Sequence, residues 1–79
     1  MPVSLERRDA EKNVFRFYQL GQDTDLFGMA CVTRHWGRIG TQGRQMIQAF
    51  ESADAASRAL TRLSRAKLRR GYAEVPVSR

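Results

Sequence analysis

One cysteine, Cys31, and one histidine, His35, occur in the 79 residues. A lone thiol closes no disulfide within the chain, and one Cys with one His, even beside Asp25, falls short of the ligand set a zinc site needs. A Cys–His nucleophile would need both side chains on one face and a third orienting group, so Cys31 reads as a small buried hydrophobe. Such sparse cysteine usage points to a reducing, cytoplasmic setting. No apolar run approaches the roughly 18–20 residues of a membrane span, and residues 1–10 lack the apolar stretch of a secretion signal. Gly37, Gly40 and Gly43 are not followed by the Gly-Lys-Ser/Thr that opens a phosphate-loop helix, which argues against nucleotide hydrolysis. With no convergent acids and bases, no catalytic residue, metal, cofactor or small-molecule substrate is expected.

Acid is also scarce. Eight Asp and Glu oppose fourteen Lys and Arg, leaving a formal charge of +6, and no acid occurs between Asp25 and Glu51. Twelve of the basic residues are arginine, whose guanidinium grips phosphate bidentately and stacks on rings, whereas lysine acts mainly as a point charge. A GC-rich genome gives the same bias without any function, so placement must decide between the two origins. The length suits one core, and a single domain over residues 1–79 is expected, with its core at about 3–75 and a flexible tail at 76–79.

The first half has strand texture. Val14–Leu20 is rich in β-branched and aromatic residues and stops at Gly21; 22–25 has turn composition; Leu26–Trp36 resumes an apolar pattern, giving a hairpin. Gly40-Thr41-Gln42-Gly43 followed by Gln45–Phe50 gives a second hairpin, and Val3–Asp9 alternates weakly as an edge strand. From Ser52 the period changes to that of a helix. Ser52 suits the N-cap, Asp54 the first turn and Gly71 the position after the C-cap. Ala56, Ala59, Leu60, Leu63 and Ala66 form one apolar stripe for a sheet, while Arg58, Arg62, Arg65 and Arg69 fall in a band roughly 60° wide on the opposite side. Those four arginines either extend a phosphate-contacting surface or are an ordinary solvated face. The stripe leaves no apolar surface for lipid, so no membrane partner is expected.

The most unusual segment is Arg34-His35-Trp36-Gly37-Arg38-Ile39-Gly40. In an unbulged strand Trp36 shares a face with Arg34 and Arg38, while Phe27, Met29 and Cys31 point the other way. Two readings follow: a core aromatic beside turn glycines, or an exposed indole that stacks on a sugar or base while arginines hold phosphates. In the second, Gly37 and Gly40 allow close backbone approach.

Trp36-Gly37-Arg38-Ile39-Gly40 resembles the signature of the WGR domain, found in poly(ADP-ribose) polymerases, in bacterial molybdate-regulator-like proteins and in short bacterial stand-alone proteins. Phe17-Tyr18, Gly43, Phe50, Ser52, Ala56, Lys67 and Gly71-Tyr72 extend the resemblance over about Asn13 to Tyr72. It implies an α+β fold, a small curved antiparallel sheet with one long C-terminal helix packed on it, as the residue patterns themselves suggest. In the polymerases the module engages DNA breaks; by resemblance Trp36 packs against a terminal nucleotide's sugar and Arg38 assists DNA or neighbouring-domain contacts. Lys12, Asn13 and Tyr72 fall near positions where those relatives contact the break phosphate. The polymerases' catalytic domain, regulatory helical domain and zinc fingers have no counterpart in these 79 residues.

The expectation is therefore a non-catalytic nucleic-acid-binding module that prefers DNA, at ends or distorted sites. Trp36 stacks, Gly37 lets the backbone approach, and Arg34, Arg38 and Arg44 contact phosphates. The alternative is a protein-interaction module that docks to an acidic partner or a larger assembly. Salt separates the two, because phosphate neutralisation gives a steep salt dependence.

Overall fold

The computed structural model describes residues 2–76. Five antiparallel strands form one open sheet: β1 (Val3–Asp9), β2 (Val14–Thr24), β3 (Ala30–Arg38), β4 (Arg44–Phe50) and β5 (Ala73–Val75), in the order β4-β3-β2-β1-β5. Helix α1 (Ala53–Arg69) packs on one face, giving the α+β arrangement the sequence implies. Positions 77–79 of the expected flexible tail lie outside the described residues, and Pro76 is exposed.

Both helix ends are set by the expected residues. Ser52 Oγ accepts from the Ala55 amide at 3.0 Å, Asp54 lies in the first turn, and Gly71 adopts φ +94° just beyond the Arg70 cap. The Gly71 and Tyr72 amides donate to the Leu68 and Lys67 carbonyls, closing the last turn. Alternation then decides what the helix covers. Leu5 on β1, Tyr18 and Leu20 on β2 and Val32 on β3 share a face and, with Ala56, form the buried cluster. Val3, Ala30, Trp36, Phe50, Leu60, Leu63 and Tyr72 pack around it. Of the predicted helix stripe, Ala56 and Ala59 are buried, and Leu60, Leu63 and Ala66 are half-buried.

Three sequence expectations are corrected. Gly21 does not end β2, which pairs with β3 as far as Thr24 opposite Ala30. Helix α1 holds this stretch in place: Gln22 Nε2 donates to the Ala53 carbonyl at 3.2 Å, and Ser57 Oγ donates to Gln22 Oε1 at 2.9 Å. The turn consequently sits at 25–29, tied by the Asp25 carboxylate, which accepts from the Phe27 and Met29 amides at 2.9 Å each. Phe27 and Met29 therefore belong to this turn and not to a face of β3. Finally, β1 is not an edge strand. β5, unforeseen in the sequence, returns after the helix and pairs with it, Leu5 opposite Glu74.

Candidate nucleic-acid interface

Sheet register lays the candidate residues out in rows on the face that carries α1. Leu5, Tyr18, Trp36 and Arg44 lie side by side on β1, β2, β3 and β4. One row away lie Arg7, Arg16 and Arg38; on the other side lie Val3, Leu20, Arg34 and Met46. Alternation thus groups Trp36 with Arg34 and Arg38 as expected, but their face is the one the helix covers. Trp36 is half-buried, with its inner side against the core cluster. The indole is anchored as a core aromatic, and its remaining surface is exposed.

What it faces is basic. Two adjoining concavities share Tyr18, Trp36 and Lys67. One adds Arg34, Leu63, Ala66 and Arg70; the other adds Arg16, Phe17, Gly37, Arg38 and Tyr72. Their combined lining holds Arg16, Arg34, Arg38, Lys67 and Arg70 and no carboxylate. At about 300 and 340 Å³, open to solvent, they sit at the small end of the range for small-molecule pockets and suit the edge of an extended anion better.

Two of the five cations, Lys67 and Arg38, lie over aromatic rings, and Arg34 donates to the Met46 sulfur. Lys67 Nζ lies 4.7 Å from the Tyr18 ring centroid and 5.4 Å from that of Tyr72, and the two rings meet edge-on at 6.4 Å. Burial first, then the Arg70, Arg16 and Arg34 guanidinium groups, press Lys67 below the ordinary lysine value. Arg38 extends over Phe15, 5.6 Å from its centroid, and donates to Asn13 Oδ1 at 3.3 Å. The ion pair found among the described residues, Arg8 with Glu6, lies on the opposite face. Like charges directly opposite on neighbouring strands are destabilising, so the Arg7–Arg16–Arg38 row is kept against a stability cost.

The other predicted residues are placed as follows. Tyr72 lines the second concavity. Asn13, in the left-handed region at φ 56°, touches the site only through Arg38. Lys12 is exposed on the short 3-10 turn between β1 and β2 (Ala10–Lys12), away from both linings. Arg44 is exposed and level with Trp36 on β4. Arg58, Arg62, Arg65 and Arg69 line a separate shallow groove with Ser57 and Thr61 on the outer side of α1.

Gly37 has a neighbour inside the molecule. A Cβ there would stand 2.7 Å from the Gly43 Cα, and a Cβ on Gly43 (φ +70°) would lie 2.8 Å from Cζ of Phe17. The β3–β4 turn folds back across the strand, so the close backbone approach at Gly37 is that of the chain itself. His35 completes this crossing: it bonds Gln19 Oε1 at 3.1 Å and the Gln42 carbonyl, and packs edge-on to Phe17 at 5.0 Å. Each ring nitrogen thus faces an oxygen, and the neutral ring, with one N–H, donates to one of the two. Cys31 is buried, and desolvation followed by the Asp25 carboxylate pushes its thiol above the usual value. No group of three or more His, Cys, Asp or Glu fit to hold a metal occurs among the described residues, and no helix there is long and apolar enough to cross a membrane.

Sequence reasoning missed Arg16, Lys67 and Arg70 as site residues. Lys67 carried a signal: at 100° per residue it falls inside the apolar stripe of α1, near Leu60 and Leu63.

Comparison with known proteins gives a consistent picture. The WGR domain family matches residues 1–79. The uncharacterized protein y4dW of Sinorhizobium fredii is 40% identical over 72 residues, covering 91% of this chain and 35% of that protein. Protein YehF of Escherichia coli is 41% identical over 39 residues, covering 49% of this chain and 14% of that protein. The chain thus spans about a third or less of the length of these relatives. No solved structure matches it.

Proposed function

We propose that this chain, which belongs to the WGR domain family, is a non-catalytic nucleic-acid-binding module whose ligand is a DNA end or a distorted site. The observation that carries the reading is the pairing of a half-buried Trp36 with five cations and no carboxylate along the same lining. An indole already fixed by the core loses little freedom on stacking, so contact with a terminal sugar or base costs little ordering. Around it Arg16, Arg34, Arg38, Lys67 and Arg70 receive the flanking phosphates, and phosphate binding relieves their mutual repulsion. A continuous internal duplex presents phosphates but no free nucleoside face, which is why ends are preferred.

The test is fluorescence anisotropy of labelled blunt duplex, nicked duplex, closed hairpin and single strand at two salt concentrations, with Trp36 emission followed in parallel. Expected is salt-sensitive binding that favours free or nicked ends and quenches the tryptophan. Absence of binding to all four at low salt would refute the reading.

A further inference from the structure

The end of the molecule opposite Gly71 has a different chemistry. No Lys or Arg occurs between Arg16 and Arg34 or between Arg44 and Arg58, and those two intervals contain Asp23, Asp25, Glu51 and Asp54. Register brings them together, because Asp23 pairs across to Cys31 and Ala49, and Ala30 faces Phe50 just before Glu51. At the tip of this acidic end the 25–29 turn exposes Leu26 (98%) and Phe27 (90%). Four hydrogen bonds brace the turn: the two amides on the Asp25 carboxylate, Asp25 N to the Met29 carbonyl at 2.9 Å, and Gly28 N to the Asp25 carbonyl at 3.1 Å. Two large apolar side chains are thus held out on a fixed support, with carboxylates beside them.

The groove around Trp36 has the complementary character, with Tyr18, Trp36, Leu63 and Ala66 among its lining and Arg34, Lys67 and Arg70 around them. The tip cannot reach the groove of its own chain. Trp36 and Ala30 lie on one strand, roughly 20 Å apart at about 3.3 Å per residue, and the turn projects further still. We infer that the Leu26–Phe27 tip of one copy docks into the Trp36 groove of a second copy, apolar side chains against the aromatic floor and Asp23 and Asp25 against the cationic rim. Such a contact is heterologous, so in a pair the copy that gives its tip keeps a free groove and its partner keeps a free tip, and assembly continues into rings or filaments. It rests on the groove being the anion-receiving surface proposed above, and it makes nucleic acid and self-assembly competitors for that surface.

Two variants test it by complementation. Leu26→Ser with Phe27→Ser removes the tip at positions that make no core contact. Arg34→Glu with Arg70→Glu reverses two charges of the groove. In low-salt sedimentation velocity, wild type should grow in mass with concentration, and short blunt duplex should return it to single protomers. Each variant alone should remain at the 9.0 kDa protomer mass, while their mixture should give a pair of twice that mass, since one good tip meets one good groove. Wild type that stays at protomer mass at every concentration overturns the inference. So does a groove variant that still self-associates, which would mean tip-to-tip contact, or a tip variant that does. The tip variant should bind labelled duplex at least as tightly as wild type does, which separates the two readings: duplex binding without self-association sinks this inference alone, and self-association without duplex binding sinks the proposed function alone.

Discussion

Two sets of arginines on this molecule look alike in the sequence and differ in the structure. Arg58, Arg62, Arg65 and Arg69 stand on the outer side of α1, exposed, spaced one turn apart and free to solvate. Arg16, Arg34, Arg38 and Arg70 converge with Lys67 on a half-buried tryptophan, between a helix and a sheet, without a carboxylate in the lining. The first set costs the fold almost nothing. In the second, burial first and the neighbouring guanidinium groups after it press Lys67 below the ordinary value. Charge placed where it is unfavourable to the folded state is a better sign of a binding surface than charge placed where water relieves it.

The comparison is broken most directly by removing the inner cations. Arg16→Gln, Arg38→Gln and Arg70→Gln together should flatten the log–log salt dependence of duplex binding by about 2.7, at about 0.9 per phosphate contact. A slope unchanged in this triple variant would mean that the phosphates are held elsewhere. Next in size, Trp36→Ala should weaken binding to a blunt end by roughly 5- to 100-fold, on the scale of one stacked base, and leave the salt slope intact. Equal loss on closed hairpin and blunt duplex would remove the stacking role. The residue also packs on the core, so thermal unfolding of the same variant must show that binding is measured on folded protein.

Lys67→Gln sharpens the contrast further. It should lower the slope by about 0.9 and yet leave stability within about 0.5 kcal/mol of wild type, because lost cation–π contact and relieved repulsion oppose each other. A large fall in melting temperature would instead make Lys67 a structural residue. The smallest effect is expected from Arg58, Arg62, Arg65 and Arg69 replaced together by Gln, with a slope change below about 0.9 for all four. A change near 3 would show the outer stripe to be the principal phosphate surface and reverse the comparison.

The parts of this fold legible in the sequence are those governed by local rules. Ser52, Asp54 and Gly71 bound the helix through capping and backbone conformation. Alternation on β3 groups Trp36 with Arg34 and Arg38. The misplaced features depend on distant partners: β2 runs past Gly21 because Gln22 is fastened to a helix some thirty residues later, and β5 exists only because β1 offers it an edge. The site follows the same division. Trp36 and Arg38 stand out in their own segment, whereas Arg16 joins them through strand register and Arg70 through the end of α1. Which face of β3 the helix would cover was likewise not written in β3. That depended on where the turn after β2 falls, and hence on Asp25.

The crossing at Gly37 and Gly43 changes what the Trp-Gly-Arg triplet signifies. Its middle letter is fixed by clearance between two backbones of one hairpin, and a Cβ at either position would strike the other strand or its carbonyl. A side chain at either glycine therefore requires the hairpin backbone to shift, whatever the chain's ligand. The triplet thus reports a hairpin crossing as much as it reports Trp36 and Arg38, while Arg16, Lys67 and Arg70, which line the same concavities, lie outside it.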